Sequence, residues 1–305
     1  MKVVLFGGAG GVGSSAAFNL ALGAGGHDVV IVDSRPEMVV SHVMDLQQVL
    51  EQGGSGTVRE GVESDLGDAD VLVVCASFAE GLTDSRLLFL ERNAAIVRGA
   101  AEAVGQDYQG VVLMVTNPVD PLVTVFQRAT GLDRRRVVGY TLNDSLRLRT
   151  GIALALGVEP GRVDAWVIGE HGDSSVPLFS RVTVDGEPVQ LSDAQRGAAT
   201  NFTQGWFAKH KALDSGRSST WTSGLGTARM VRAIADGNGV RFPASIVLQG
   251  EYGLEGVSVS VPITLGRGGA DQIHEWDISD AERAALHGAA DAVRDAVARI
   301  GGAAG

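Results

Sequence analysis

The chain is short of cysteine, of positive charge and of long apolar runs. A single Cys, Cys75, stands among 305 residues. No internal disulfide can form, and nothing suggests an oxidising compartment. Lys and Arg number 25 against 36 Asp and Glu, a formal charge of −11. A nucleic-acid binder needs a basic footprint, which this balance does not supply. No apolar run approaches the roughly 18 residues of a membrane span. The longest, Val71 to Ala79, is already interrupted by Ser77. The first apolar stretch, after Lys2, gives way to glycines too soon for a signal peptide. These absences predict a soluble, cytoplasmic protein with neither membrane nor nucleic acid as partner. With 45 % hydrophobic and 20 % charged residues the usage is that of an ordinary globular chain, and the length fits one large or two modest domains.

Apolar runs alternate with helix-like segments through the first half. Val3 to Phe6, Val29 to Val32, Val71 to Cys75, Val111 to Val115 and Val137-Val138 read as strands. Between them, Gly13 to Leu22, Pro36 to Leu50, Leu87 to Val104 and a segment from Asn117-Pro118 to about Arg128 read as helices. Strands that are apolar throughout are buried on both faces, which predicts a doubly wound parallel α/β sheet. The second half predicts an α+β unit. A helix from about Asn143 to Leu156 is followed by a strand over Val163 to Ile168 and a hairpin within Ser180 to Gln190 that turns at Asp185-Gly186. Two helices, Asp193 to Asp214 and Ser223 to Asp236, precede paired strands at Val240 to Gln249 and Val257 to Leu265. A last helix starts at Ser279, with Glu282 completing a capping box. The expected division is a Rossmann-type doubly wound α/β domain over 1–141 and an α+β domain over 142–305.

The first strand ends in Gly7-Gly8-Ala9-Gly10-Gly11-Val12-Gly13. Glycines let a backbone approach a pyrophosphate closely, and the helix that follows offers free N–H groups and the positive end of its dipole. A P-loop would need Lys directly after the last glycine, where this chain has Ser14. The second strand ends at Asp33, 20 residues after Gly13, where a carboxylate binds the adenosine ribose 2′-hydroxyl. That carboxylate favours NAD over NADP, although Arg35 nearby is a residue type that can hold a 2′-phosphate.

Gly169-Glu170-His171-Gly172-Asp173 is a tight polar turn after a strand. Asp144 and Arg147, three apart, share a helix face. A carboxylate orienting an imidazole beside a guanidinium would bind a carboxylate substrate and move a proton. Sequence alone does not bring the three together. Over nearly its whole length the chain resembles the L-lactate/L-malate dehydrogenase family. The matching pieces are GGAGGVG, the Asp33 strand end, Ser85-Arg86 with Asn93, Thr116-Asn117-Pro118-Val119-Asp120, Asp144-Ser145-Leu146-Arg147, GEHGDSSVP at 169–177 and Val261-Pro262 with Leu265-Gly266-Arg267.

The resemblance implies an NAD-dependent oxidoreductase that interconverts a 2-oxo acid and an L-2-hydroxy acid. His171 would be its proton donor and acceptor, Asp144 the group that orients His171, and Arg147 the fork for the substrate carboxylate. Arg86 would polarise the carbonyl. Asn117 would serve cofactor and substrate, and Ser219 would line the pocket. Gly7, Gly10, Gly11, Val12, Gly13, Asp33 and Asn93 would hold the cofactor. No metal is implied. A homodimer or homotetramer is, the family pairing through the helix that is Pro36 to Leu50 here; its apolar stripe of Val39, Val40, Val43, Leu46 and Leu50 reads equally as ordinary core.

One position departs from the family pattern. The residue six before the loop arginine faces the substrate side chain in this family, and is Arg in malate and Gln in lactate dehydrogenases. Here it is Glu80. Two carboxylates about 4 Å apart at an effective dielectric of about 20 repel by roughly 4 kcal/mol. The expectation is therefore a substrate with a neutral or cationic side chain. The alternative is an ordinary malate dehydrogenase in which Glu80 points to solvent. Short-chain dehydrogenases are excluded, because Tyr108, Tyr140 and Tyr252 are followed four residues on by Val112, Asp144 and Gly256 rather than Lys. NAD-dependent glycosidases use a Cys metal ligand, and Cys75 reads as an apolar strand residue. A non-catalytic NAD-binding module would not need His171, Asp144, Arg147 and Arg86 together.

Overall fold

The computed structural model describes residues 1–78, 86–215 and 219–301. The first half builds β1 (Lys2–Phe6), α1 (Gly11–Leu22), β2 (Asp28–Val32), α2 (Pro36–Glu51), β3 (Thr57–Glu60), β4 (Val71–Val74), α3 (Arg86–Val104), β5 (Val111–Met114), α4 (Val119–Thr130) and β6 (Val137–Tyr140). These strands pair in parallel in the order β3-β2-β1-β4-β5-β6. The order reverses between β1 and β4, so a crevice opens at their carboxyl ends. Alternate residues of each strand enter opposite layers. Val3, Leu5 and Val73 join Ala16, Ala17 and Leu20 of α1. Val4, Leu72 and Val74 join Ala94 and Val97 of α3 and Leu122 and Phe126 of α4. The edge strand β3 is additional to the strands that the sequence predicts. Only Val58 of its four residues is buried, so it carries no apolar run.

The second half builds α5 (Leu142–Leu156), β7 (Val163–Asp164), β8 (Val167–Gly169), β9 (Ser175–Pro177), β10 (Thr183–Val184), β11 (Glu187–Pro188), α6 (Asp193–Ala212), α7 (Thr220–Asp236), β12 (Arg241–Gln249), β13 (Glu255–Gly266), β14 (Gly269–Ile273) and α8 (Asp280–Gly301). The main sheet continues past β6. β12 pairs antiparallel with it through Ala244 and Tyr140, and β13, β8 and β9 follow. The single strand expected over Val163 to Ile168 is two. β7 joins a small sheet with β10 and β11, and β8 joins the main one. The hairpin turns at Asp185 and Gly186, both at positive φ (53° and 85°), as the Asp-Gly pair requires. The capping box forms as expected: Glu282 Oε2 accepts from the Ser279 N–H at 2.9 Å, and Ser279 Oγ accepts from the Glu282 N–H at 3.3 Å.

Two contacts between the halves position the site. Helix α7 packs on α1 so closely that a Cβ at Gly224 would meet Ser15 Oγ at 2.2 Å. The first turn of α5 is pinned on several sides. Asn143 accepts from Tyr140 Oη at 2.7 Å and donates to Ser223 Oγ at 2.9 Å, and Ser145 Oγ accepts from the Val167 N–H at 2.9 Å. The apolar stripe of α2 divides. Val39, Val43 and Leu46 are buried in the core, whereas Val40 and Met44 are 38 % and 64 % exposed. Val39, Val43 and Leu46 thus follow the core reading of the stripe, and Val40 stays on the surface.

Candidate active site

The glycine turn joins β1 to α1 at the carboxyl edge of the sheet. Gly7 has φ +84° and lies against the next strand's exit, where a Cβ would meet Ala76 N at 2.2 Å. A Cβ on Gly13 would meet Gly8 Cα at 2.6 Å, so the turn and the helix close on each other only without side chains. Gly10 caps α1 with extended backbone, leaving the N–H groups of Gly11 and Val12 in the first helical turn. An anion seated there meets N–H donors and the helix dipole. Asp33, just past β2, accepts from the Ala9 N–H at 3.1 Å. Arg35 pairs with the same carboxylate, Nε at 3.0 Å and Nη2 at 3.2 Å. Burial pushes the Asp33 pKa up, but these bonds outweigh it and hold the group below its ordinary value. The cradle and its carboxylate fit a dinucleotide.

The three chemistry-bearing residues meet. His171 Nδ1 lies 2.5 Å from Asp144 Oδ2, and Arg147 Nη1 lies 3.3 Å from the other oxygen of that carboxylate. The His171, Asp144 and Arg147 side chains are 15 %, 12 % and 15 % exposed. Burial alone lowers the His171 pKa, but the charge and hydrogen bond of Asp144, with Asp120 behind it, raise it above the ordinary value despite Arg147. With Nδ1 committed to Asp144, Nε2 is the ring atom left to exchange a proton. Burial lowers the Arg147 pKa, with Asp144 opposing, yet a guanidinium stays charged.

Asp120, the last residue of the Asn117-Pro118-Val119-Asp120 string, joins the site as well. It is 1 % exposed on α4. Its Oδ2 accepts from the His171 main-chain N–H at 2.7 Å. Burial raises its pKa to about 6, against the opposing influence of Ser245 and His171. Its Oδ1 and the Ser245 hydroxyl complete no hydrogen bond of good geometry. The sequence carries a signal for it: an acidic residue in the largely apolar VDPLVTVF stretch must find a partner. Trp206, whose ring lies over the Arg147 guanidinium at 4.2 Å, carried no such signal.

Asn93 lies between the segments that follow β4 and β5. It is fully buried. Its Oδ1 accepts from the Phe78 N–H and its Nδ2 donates to the Asn117 carbonyl, each at 2.7 Å. It braces the segments after β4 and β5, and each polar atom keeps a second hydrogen-bonding position beyond these main-chain contacts. Asn117 itself is exposed at the end of β5, before a cis bond to Pro118. Ser219 is half-buried at the N-cap of α7. Arg86 is the first residue of α3, but its side chain lies outside the described residues, as do Glu80 and Ser85. Burial pushes the Cys75 thiol up to about 12, and it donates to the Phe6 carbonyl, as an apolar strand residue would. Among the described residues no group of three or more His, Cys, Asp or Glu could hold a metal, and no helix is long and apolar enough to cross a membrane.

Residues 1–139 match the lactate/malate dehydrogenase NAD binding domain, and residues 141–300 match the lactate/malate dehydrogenase alpha/beta C-terminal domain. The chain is 33 % identical to an L-lactate dehydrogenase of Mesoplasma florum over 301 residues, covering 96 % of this chain and 94 % of that protein. It is similar in structure to the malate dehydrogenase from Aeropyrum pernix, with a TM-score of 0.90 at 29 % identity, covering 98 % of this chain and 97 % of that one. The minor L-lactate dehydrogenase from Enterococcus mundtii gives a TM-score of 0.89 at 28 % identity, covering 97 % of each.

Proposed function

Because the chain belongs to the lactate/malate dehydrogenase family and is an NAD-dependent 2-hydroxy acid dehydrogenase, we propose that His171 moves the proton of the reaction and that the substrate side chain is neutral or cationic. Bound NADH supplies the hydride. The observation that carries the first part is the 2.5 Å contact of His171 Nδ1 with Asp144. Asp144 fixes the tautomer, so Nε2 presents the proton to the 2-oxo oxygen. Asp144 also offsets the charge that His171 bears before it gives that proton up. Arg147 keeps its remaining edge for the substrate carboxylate, as a two-pronged pair. Arg86 polarises the carbonyl from the start of α3, and Asn117 and Ser219 line the pocket. The glycine turn, Asp33 and Asn93 hold the cofactor. The dinucleotide unit is residues 1–141 and the substrate unit residues 142–305.

The second part rests on Glu80. A carboxylate six residues before Arg86 disfavours oxaloacetate by charge, whereas it suits a 2-oxo acid with an uncharged, amino or guanidino side chain. Initial rates of NADH oxidation are to be measured with oxaloacetate, pyruvate, a branched neutral acid and the cationic acids, for the wild type and Glu80→Arg. The wild type is expected to prefer a neutral or cationic acid, with oxaloacetate reduction rising in the variant. Preference for oxaloacetate, with no rise in the variant, would make this an ordinary malate dehydrogenase.

The proposed assembly is a homo-oligomer. It is supported by exposed Val40 and Met44 on α2, Phe18 and Leu22 on α1, and Trp221 and Leu225 on α7. A monomer by light scattering would refute it.

A further inference from the structure

Arg147 is held on two sides. Its Nη1 edge meets Asp144 at 3.3 Å. Its flat face is covered by the Trp206 ring, with the guanidinium carbon 4.2 Å from the ring centroid. Trp206 is itself steadied. One helical turn on, His210 stacks against it with centroids 5.0 Å apart and planes 10° from parallel. Both aromatic residues lie on α6, while Arg147 and Asp144 lie on α5. Among the described residues the guanidinium has no further protein hydrogen-bond acceptor, so the rest of its fork is available to a ligand.

A guanidinium on a long stem has many rotamers, and a two-pronged grip on a carboxylate works in only one plane. Fixing one edge leaves rotation about that edge open. An aromatic face packed on the guanidinium removes that freedom. It also strips water from one side, which strengthens the charge left for the ligand. We propose that Trp206 is a positioning residue for the 2-oxo acid: it sets the plane of Arg147 and thereby the angle at which the substrate carboxylate is presented to His171. Recognition of the substrate thus draws on α6 as well as on α5. Trp206 touches no reacting atom, so its influence falls on substrate binding. This inference rests on Arg147 being the carboxylate fork.

The test compares Trp206→Phe, Trp206→Leu and Trp206→Ala with the wild type. The substrate is the 2-oxo acid of the panel that the wild type reduces best. Loss of the aromatic face in the Leu and Ala variants is expected to raise KM for that acid roughly tenfold, with kcat within about threefold and KM for NADH unchanged. The Phe variant keeps a π face and is expected to recover most of the loss. If Trp206→Ala does not fold, the Phe and Leu pair alone decides, since both fill the site and only one has a ring. Equal KM for Phe and Leu, or a wild-type KM in Leu and Ala, would overturn the proposal. Arg147→Lys separates the two levels of the argument. A crippled Lys variant beside Trp206 variants of wild-type KM defeats only the role of Trp206. A Lys variant of wild-type KM defeats the fork and the inference with it.

Discussion

The cofactor cradle and the proton-transfer site solve opposite problems. The cradle at residues 7–13 is made by leaving side chains out. Gly7 and Gly13 sit where a Cβ would strike backbone at 2.2 and 2.6 Å, and binding falls to main-chain N–H groups and a helix dipole. The site around His171 is made by putting charges in. Asp144, Arg147 and Asp120 surround one imidazole in a largely buried space, and each shifts its protonation. A cradle of backbone is sensitive to shape and indifferent to pH. A cluster of buried charges is sensitive to pH as well, because each member shifts the protonation of the others.

The largest expected effect isolates the charged site. His171→Asn keeps a polar side chain but cannot carry the proton, and is expected to lower kcat by about 10²- to 10⁴-fold while NADH still binds, as read by its fluorescence. Loss of NADH binding in that variant would mean that the two regions are one unit. Gly13→Val probes the other side. Its branched Cβ must displace Gly8, so NADH affinity is expected to fall at least about tenfold, or the fold to lose stability. A variant with normal NADH affinity and reduced kcat would break the comparison.

The smallest effect is the most selective. In Asp120→Asn, an amide oxygen can still accept the His171 N–H while the buried charge is gone. Asp120 has its pKa raised by burial to about 6, so its ionisation costs stability as pH rises from the ordinary carboxylate range through that value. The variant is expected to melt a few degrees higher than the wild type at pH 8, with the gain vanishing near pH 4. It is also expected to shift the pH profile of reduction downward, because one charge that raises the His171 pKa is lost. An unchanged melting curve at both pH values would show that Asp120 carries no buried charge.

How much was legible in sequence follows the same division. The glycine turn, Asp33 and the parallel strands could be read because each follows from local rules: glycine for close approach, and unbroken apolar runs for strands covered on both faces. β3 could not, since an edge strand with one buried residue has no pattern. The break between β7 and β8 was hidden because Ala165 and Trp166, which lie there, are themselves buried and apolar. In the active site the residue types named the chemistry, but Asp144 and His171 are 27 positions apart, and the pairing of β8 with β13, the pinned start of α5 and the Asp120 contact to the His171 N–H bring them together. The residue type marks Asn93 as polar, but that it bridges the segments after β4 and β5 is set by the fold and by no local pattern. Trp206 reaches Arg147 only through packing of α6 on α5, which no local rule encodes.

The most direct test of the account is the pH dependence of kcat/KM for 2-oxo acid reduction in the wild type and in Asp144→Asn. Reduction needs protonated His171, and Asp144 raises that group's pKa. The wild-type rate is therefore predicted to hold at low pH and fall as pH rises through a value above the ordinary 6.5 of histidine. In the variant that fall should move to lower pH and the plateau should drop. A rate limb at the same pH in both proteins would contradict the claim that the Asp144–His171 pair is the proton-transfer device.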